Sequence, residues 1–166
     1  LLRSGGYFAE YGSVNFSKNK SETGTSDYFE GRLLDGKPYL GLGNYATSMI
    51  DNYWYFNTYT THKYIHNINN KFKVMEDFYN LTIREVYAKY ILYSLNFGIL
   101  DELRFFHRFH QNIGEIFQDE LNLARHQGWL YQEGNIWKIC QDNFKNMSYI
   151  RSLFYSPQVQ KWMINS

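Results

Sequence analysis

Between residues 82 and 127, apolar positions recur at helical spacing, and the polar residues between them mark where helices start and stop. Thr82-x-x-Glu85 is a capping box, in which the two side chains satisfy the first unpaired N–H groups of a helix. Ile83, Val86, Tyr87, Tyr90, Ile91 and Leu95 follow along one face, and Gly98 is placed to end the helix. Asp101 caps a short helix over "ELRFFHRFH". A third helix is predicted over 113–127, with Ile113, Phe117, Leu121 and Ala124 on one stripe and Gly128 as its stop. "WLYQEGNIWKIC" then predicts a hairpin turning at Glu133-Gly134-Asn135. A last helix starts near Asp142 and ends before Pro157, because the residue preceding a proline avoids helical geometry.

The first third of the chain has a different rhythm. Residues 7–17, "YFAEYGSVNFS", are rich in aromatics and read as extended chain. Residues 18–37 form a polar loop with a short helix around Tyr28–Arg32. "PYLGLG" reads as a buried strand entered at Pro38 and running into a turn. Residues 59–69 predict a modest helix. Residues 1–57 are thus strand and loop that cannot close a core alone, 58–79 connect, and 80–166 run helix, helix, helix, hairpin, helix. That last order suits a winged-helix-like module. No internal repeat is present.

Composition narrows the class. The 166 residues are 44% hydrophobic and 20% aromatic, which supports a sizeable core rather than disorder. A net charge of +1 gives no global electrostatic reason to expect nucleic acid or an anionic membrane as partner. No apolar stretch approaches the roughly 18 residues that span a bilayer. Cys140 is the one cysteine, so neither a disulfide framework nor a cysteine-ligated cluster forms within the chain. Sequons at Asn15, Asn80 and Asn146 are read as chance in an asparagine-rich chain, and a cytoplasmic location is expected. The chain opens on Leu1 as if in the middle of something longer, so a segment of a larger protein is expected.

"YLGLGNYATS", residues 39–48, is the candidate site. Glycine permits positive φ and lacks the Cβ that would hold a ligand off the backbone. From spacing alone, a plain turn is the simpler reading. The wider context shifts that balance. Gly6-Tyr7, then Asn15-Phe16-Ser17, then Gly41/Gly43/Ala46/Ser48, then Asn57 and Tyr64 stand in sequence. In order and spacing this resembles the oxygen-independent coproporphyrinogen III oxidase family of radical S-adenosylmethionine (SAM) enzymes. "REVYAKYILYSLNFGI", "IFQDELNLARHQGWL" and "GNIWKI" look like the family's C-terminal helical module.

The resemblance implies an α/β plus α fold. Residues 1–57 would be the C-terminal remnant of a partial (β/α) radical-SAM barrel, with last strands at 7–17 and 38–43, 58–79 a connecting helix, and 80–166 the helical module. It implies SAM and a [4Fe–4S] cluster as cofactors of the full enzyme, and a porphyrinogen or haem-like small molecule as substrate. The implied reaction is oxidative decarboxylation of propionates to vinyls, with haem-chaperoning, haem-degrading and methyltransferase relatives as alternatives. Gly41, Gly43, Ala46 and Thr47 would border SAM, Thr47 through backbone or packing. The cluster motif, Cys-x-x-x-Cys-x-x-Cys, is absent here. Asn44-Tyr45 is bulkier than many members carry, and Ile139-Cys140-Gln141-Asp142-Asn143 replaces the usual Leu-Thr-x-x-Gly.

Other constellations have plainer explanations. His62 and His66 share a helix face and could bind zinc. A zincin would need Glu where Lys63 stands, so a polar face is preferred. His107 and His110 beside Arg104 and Arg108 could hold substrate carboxylates; a solvated surface is the simpler reading. Trp129, Trp137 and Phe144 are read as core rather than a porphyrin shelf. A winged-helix nucleic-acid module, reading with residues 113–127, is the competing function. Its helix carries Glu115, Asp119 and Glu120 against Arg125, the wrong sign for phosphate.

Overall fold

The computed structural model describes residues 1–8, 16–19 and 26–165. The elements begin with α1 (Asp27–Leu33), β1 (Thr47–Ile50), β2 (Tyr53–Asn57), α2 (Thr61–Asn69), β3 (Met75–Asn80) and α3 (Ile83–Asn96). They continue with β4 (Ile99–Asp101), α4 (Glu102–Phe109), α5 (Ile113–Ile116), α6 (Gln118–His126), β5 (Leu130–Glu133), β6 (Ile136–Ile139), α7 (Met147–Ser152) and α8 (Pro157–Asn165). The chain divides into two compact units, Gly36–Val86 and the remainder, with the boundary inside α3.

The smaller unit is an antiparallel sheet, β1-β2-β3, with α2 in the connection from β2 to β3. The β1–β2 hairpin turns at Asp51-Asn52, and Asp51 takes φ 52°, a left-handed conformation that Asp tolerates better than most residues. Because side chains alternate along a strand, the aromatic run of β2 feeds both faces. Tyr53 and Tyr55 stack at 6.2 Å and reach Phe78 on one side. Trp54 and Phe56 lie 4.8 Å apart and meet Tyr79 on the other. The β2–β3 register shifts between Phe56 and Asn57. Such an irregularity re-aims the side chain beside it. α2 is capped by Thr60, whose Oγ1 accepts from Lys63 N at 3.3 Å. Asn67 ties its last turn to the outgoing chain by donating to Lys73 O at 2.8 Å.

The expected strand over 38–43 is reduced to a single antiparallel bridge between Tyr39 and Met49. In this unit the sheet that forms is antiparallel throughout. For the expected strand at 7–17, Phe8 and Ser17 are bridged, while 9–15, Asn15 included, lie outside the described residues.

In the larger unit, β4, β6 and β5 form a second antiparallel sheet in that order, and the β5–β6 hairpin turns where the sequence predicts. Tyr90, Ile91, Leu95, Phe105, Phe117 and Phe154 are nearly or fully buried in its core. Tyr87, Tyr90, Phe105 and Phe109 pack mostly edge to face, with centroids between 4.8 and 5.6 Å, the arrangement that aromatic quadrupoles favour. At the end of the smaller unit, the capping box forms as read: Thr82 N donates to Glu85 Oε2 at 2.8 Å and Glu85 N to Thr82 Oγ1 at 3.4 Å.

Two helix predictions need correction. The single helix over 113–127 breaks at Phe117, which leaves helical geometry at ψ 35° while its ring packs 5.6 Å from Phe154. The last predicted helix is a 3-10 turn over 141–146 followed by the short α7, and α8 starts at Pro157 itself. Proline stops a helix that precedes it but suits the first position of a new one, where its missing N–H has no partner to lose. Ser156 caps that start, its Oγ accepting from Val159 N at 3.4 Å.

Candidate functional site

Five of the residues that carry the family resemblance, Gly41, Gly43, Ser48, Asn57 and Tyr64, form one hydrogen-bonded cluster in the smaller unit of the chain. Ser48, on β1, accepts the Gly41 N–H on Oγ at 3.0 Å. Asn57, at the register shift, donates Nδ2 to two carbonyls, Gly41 O at 3.2 Å and Gly43 O at 2.9 Å. Tyr64, on α2, accepts the Gly43 N–H on its phenol oxygen at 3.1 Å. Side chains from three elements thus bind the N–H and C=O groups of both glycines. The backbone closes the rest: Asn57 N donates to Ala46 O at 2.9 Å and Tyr45 N to Thr58 O at 3.1 Å.

The two glycines answer different demands. A Cβ at Gly41 would fall on the Thr47 carbonyl oxygen and stand 2.9 Å from the Ala46 Cβ. Glycine is needed there because the chain approaches itself. Gly43 sits at φ 105°, and a Cβ on it would meet nothing within 4 Å. Glycine is needed there for the backbone angle, and the space beside it is open. Thr47 spends its hydroxyl on Tyr39, at 3.2 Å between oxygens. Leu40 and Leu42 flank the glycines and are largely exposed, Leu42 at 90%.

Tyr45, at φ 59°, places its ring 5.7 Å from Tyr59. Tyr59 donates its hydroxyl to Asp77 at 2.7 Å, and that bond, more than any other cause, pushes its pKa up to about 12. Lys63 on α2 donates to Glu76 on β3 at 2.8 Å and holds that carboxyl below its ordinary pKa.

Of the candidate residues, Gly41, Gly43, Ala46 and Thr47 lie together in this loop. Ser48, Asn57 and Tyr64, parts of the motif in the sequence, are what hold it, and Tyr39, at the start of the candidate segment, bonds Thr47. His62 and His66 are exposed on α2, with His66 Nδ1 3.4 Å from Asn70 Nδ2. Among the described residues, no three His, Cys, Asp or Glu side chains gather to hold a metal. Cys140 is a free thiol raised above its ordinary pKa by burial and then by Asp142. Nothing described here fits an iron–sulfur cluster.

Arg104 and Arg108 are committed within the larger unit. Arg104 donates to Glu30 Oε1 and Asp35 Oδ1, each at 2.6 Å. Arg108 donates to the carbonyls of Leu33 and Leu34. His107 and His110 are exposed beside them. Trp137 is core: it is 2% exposed, donates Nε1 to Glu102 at 2.7 Å and lies 4.8 Å beneath the Arg125 guanidinium. Trp129 packs against that core, and the side chain of Phe144 lies outside what is described. No described helix is long and apolar enough to cross a membrane.

The chain has a mixed α and β fold of small antiparallel sheets and short helices, and that fold has a counterpart among solved structures. It is similar to the radical SAM enzyme coproporphyrinogen III oxidase (HemN) from Escherichia coli, with a TM-score of 0.66 over 92% of this chain at 16% identity. The match spans 38% of that enzyme's length. No family model matches the sequence. No curated protein matches it.

Proposed function

We propose that this chain is the C-terminal part of a radical SAM enzyme resembling oxygen-independent coproporphyrinogen III oxidase. In that reading the clamped loop at 41–47 lines the SAM site. One observation carries it: the residues scattered over positions 41–64 that the family resemblance singles out are joined by hydrogen bonds into one loop clamp. A fold likeness to such an enzyme over 92% of the chain supports the same reading.

In this reading the chain's residues position rather than react. Gly43 offers the open side of the loop to the adenosyl group, with Leu42 as an apolar neighbour. Asn57 and Tyr64 fix the peptide planes before the ligand arrives, so little ordering entropy is lost on binding. Thr47 contributes backbone and packing, since its hydroxyl is engaged. Bound SAM and a cluster held by other residues would supply the radical chemistry. The substrate is a porphyrinogen bearing propionates; each propionate converted gives up one hydrogen atom to the 5′-deoxyadenosyl group, CO2, and one electron to an external acceptor, and the product carries vinyls.

The test uses the full-length protein carrying this segment, purified without oxygen and reconstituted with iron and sulfide. With SAM and a reductant it should form 5′-deoxyadenosine and deplete coproporphyrinogen III. Gly43→Val should weaken SAM binding by about tenfold or more while the iron–sulfur absorbance stays unchanged. An intact cluster that yields no 5′-deoxyadenosine overturns the proposal.

A further inference from the structure

Among the described residues, Tyr45, Asp51, Lys71 and His110 hold positive φ without being glycine. Asp51 turns the β1–β2 hairpin, Lys71 follows the last turn of α2, and His110 caps α4. Tyr45 instead lies within the glycine loop, where glycine or asparagine would adopt its φ of 59° at less cost. A bulky side chain in the left-handed region is an outlier, and it persists only where the surroundings over-determine it. Here they do. Tyr45 N donates to Thr58 O at 3.1 Å, and Asn57 N donates to Ala46 O at 2.9 Å, which fixes the next residue too. The ring is restrained as well as the backbone. It lies 5.7 Å from the Tyr59 ring at 53°. Tyr59 is itself tied to β3 at both ends, its N–H donating to Glu76 Oε2 at 3.2 Å and its hydroxyl to Asp77 Oδ2 at 2.7 Å. Even so, Tyr45 is 67% exposed. A strained backbone thus presents a buttressed ring to solvent, close in the chain to the open side of Gly43.

We infer that the Tyr45 ring is the stacking face for the purine of the ligand that the glycine loop takes. This deepens the SAM reading and rests on it. Folding gains little from a ring left mostly in water, so the strain is offset only when something covers that ring. A nucleobase offers a broad π-face, and stacking it on an aromatic side chain strengthens binding by about tenfold. A porphyrinogen, with saturated carbons between its pyrroles, has no continuous flat face, so the purine is the matching group. Tyrosine has few side-chain torsions to order, and Tyr59 already restrains them, so little entropy is lost when the purine arrives. The contact belongs to this chain rather than to the family pattern, because Asn44-Tyr45 is bulkier than many members carry.

The experiment uses the full-length protein, purified without oxygen and reconstituted with iron and sulfide. SAM affinity is measured by equilibrium dialysis for the wild type, Tyr45→Phe, Tyr45→Asn and Tyr149→Asn. Tyr149 is the control, equally exposed at 67% and placed in the larger unit. Tyr45→Phe keeps the ring and should bind within about twofold of the wild type, whereas Tyr45→Asn should bind about tenfold more weakly. Tyr149→Asn should change nothing. Asparagine suits the left-handed backbone, so the melting temperature of Tyr45→Asn should hold and the loss is the ring's alone. Photolabelling adds a readout that a structural role would not move: an 8-azidoadenosyl analogue of SAM should mark the peptide that contains Tyr45. Wild-type protein that binds no SAM and forms no 5′-deoxyadenosine overturns the SAM reading, and this contact with it. Where the wild type does bind SAM, three results overturn the stacking contact alone: equal affinity in Tyr45→Asn, a Tyr45→Phe variant as weak as Tyr45→Asn, or a label that falls only elsewhere.

Discussion

The two units of this chain are held together by different physics. Every residue of the main buried apolar cluster lies between Leu33 and Phe154 and outside 36–86. There, hydrophobic burial and edge-to-face rings do the stabilising. The smaller unit contributes nothing to that cluster. Its sheet carries aromatic residues on both faces, and its glycine loop is held by polar side chains bonded to backbone. A unit of that size buries too little surface to rely on a core. Directional bonds take over, and they fix a loop more sharply than apolar contacts would. A rigid loop with little side chain of its own is what a binding edge needs.

That contrast can be broken by single substitutions. The largest effect is expected in the apolar unit. Phe105 is fully buried and touches Tyr87, Tyr90 and Phe109, so Phe105→Ala should cost about 3–5 kcal/mol in urea unfolding. A loss under 1 kcal/mol would mean the ring cluster is not the keystone of that core.

The glycine loop should respond less in total stability and more locally. Gly41→Ala forces a Cβ onto the Thr47 carbonyl, for about 1–3 kcal/mol of overpacking. Gly43→Ala meets no atom but is strained at φ 105°, by about 1–2 kcal/mol. Amide exchange separates them. Gly41→Ala should release protection across residues 41–48 as Thr47 shifts, while Gly43→Ala should leave Thr47 protected. Equal behaviour would show that the two glycines do one job.

The smallest effect has the opposite sign. Lys89 has a folded pKa of about 8, below the 10.5 of a free lysine. The folded state therefore sheds this proton first, and stability rises with pH between those values. Below pH 8 the charged lysine opposes folding in full. Lys89→Met should accordingly stabilise the protein near pH 7 by about 1 kcal/mol, after discounting for solvent screening. The advantage should fade as pH climbs from 8 to 10.5. A thermal-shift series across that range checks it, and a pH-independent difference would mean the effect is packing alone.

What could be read in advance depended on the range of the interactions. α3 is legible because Thr82 and Glu85 cap it within one turn and its apolar stripe repeats locally. The β5–β6 hairpin is legible from Gly134-Asn135 between alternating apolar positions. The β1–β2 hairpin was not, because "YWYF" shows no alternation when both faces carry rings, though Asp51-Asn52 was an available turn signal. α8 was missed because Pro157 reads as the stop of a helix before it, whereas α7 already ends at Ser152 and Pro157 opens α8. The position of the glycine loop was legible, but not its means of support. Gly41 reads equally as a place for a ligand and as a place for the chain's own carbonyl.

Sequence by itself determined the local events: caps, stripes, turns, a lone cysteine without partners, and an ordered set of motif residues from Gly41 to Tyr64. Tertiary structure alone decided that Ser48, Asn57 and Tyr64 converge on the Gly41 and Gly43 peptides. It also decided that Arg104 and Arg108 are spent inside the fold. The reason is distance along the chain. A bond between Gly43 and Tyr64, or between Arg104 and Glu30, joins residues 21 and 74 positions apart, and no local periodicity encodes which of many polar side chains will make it.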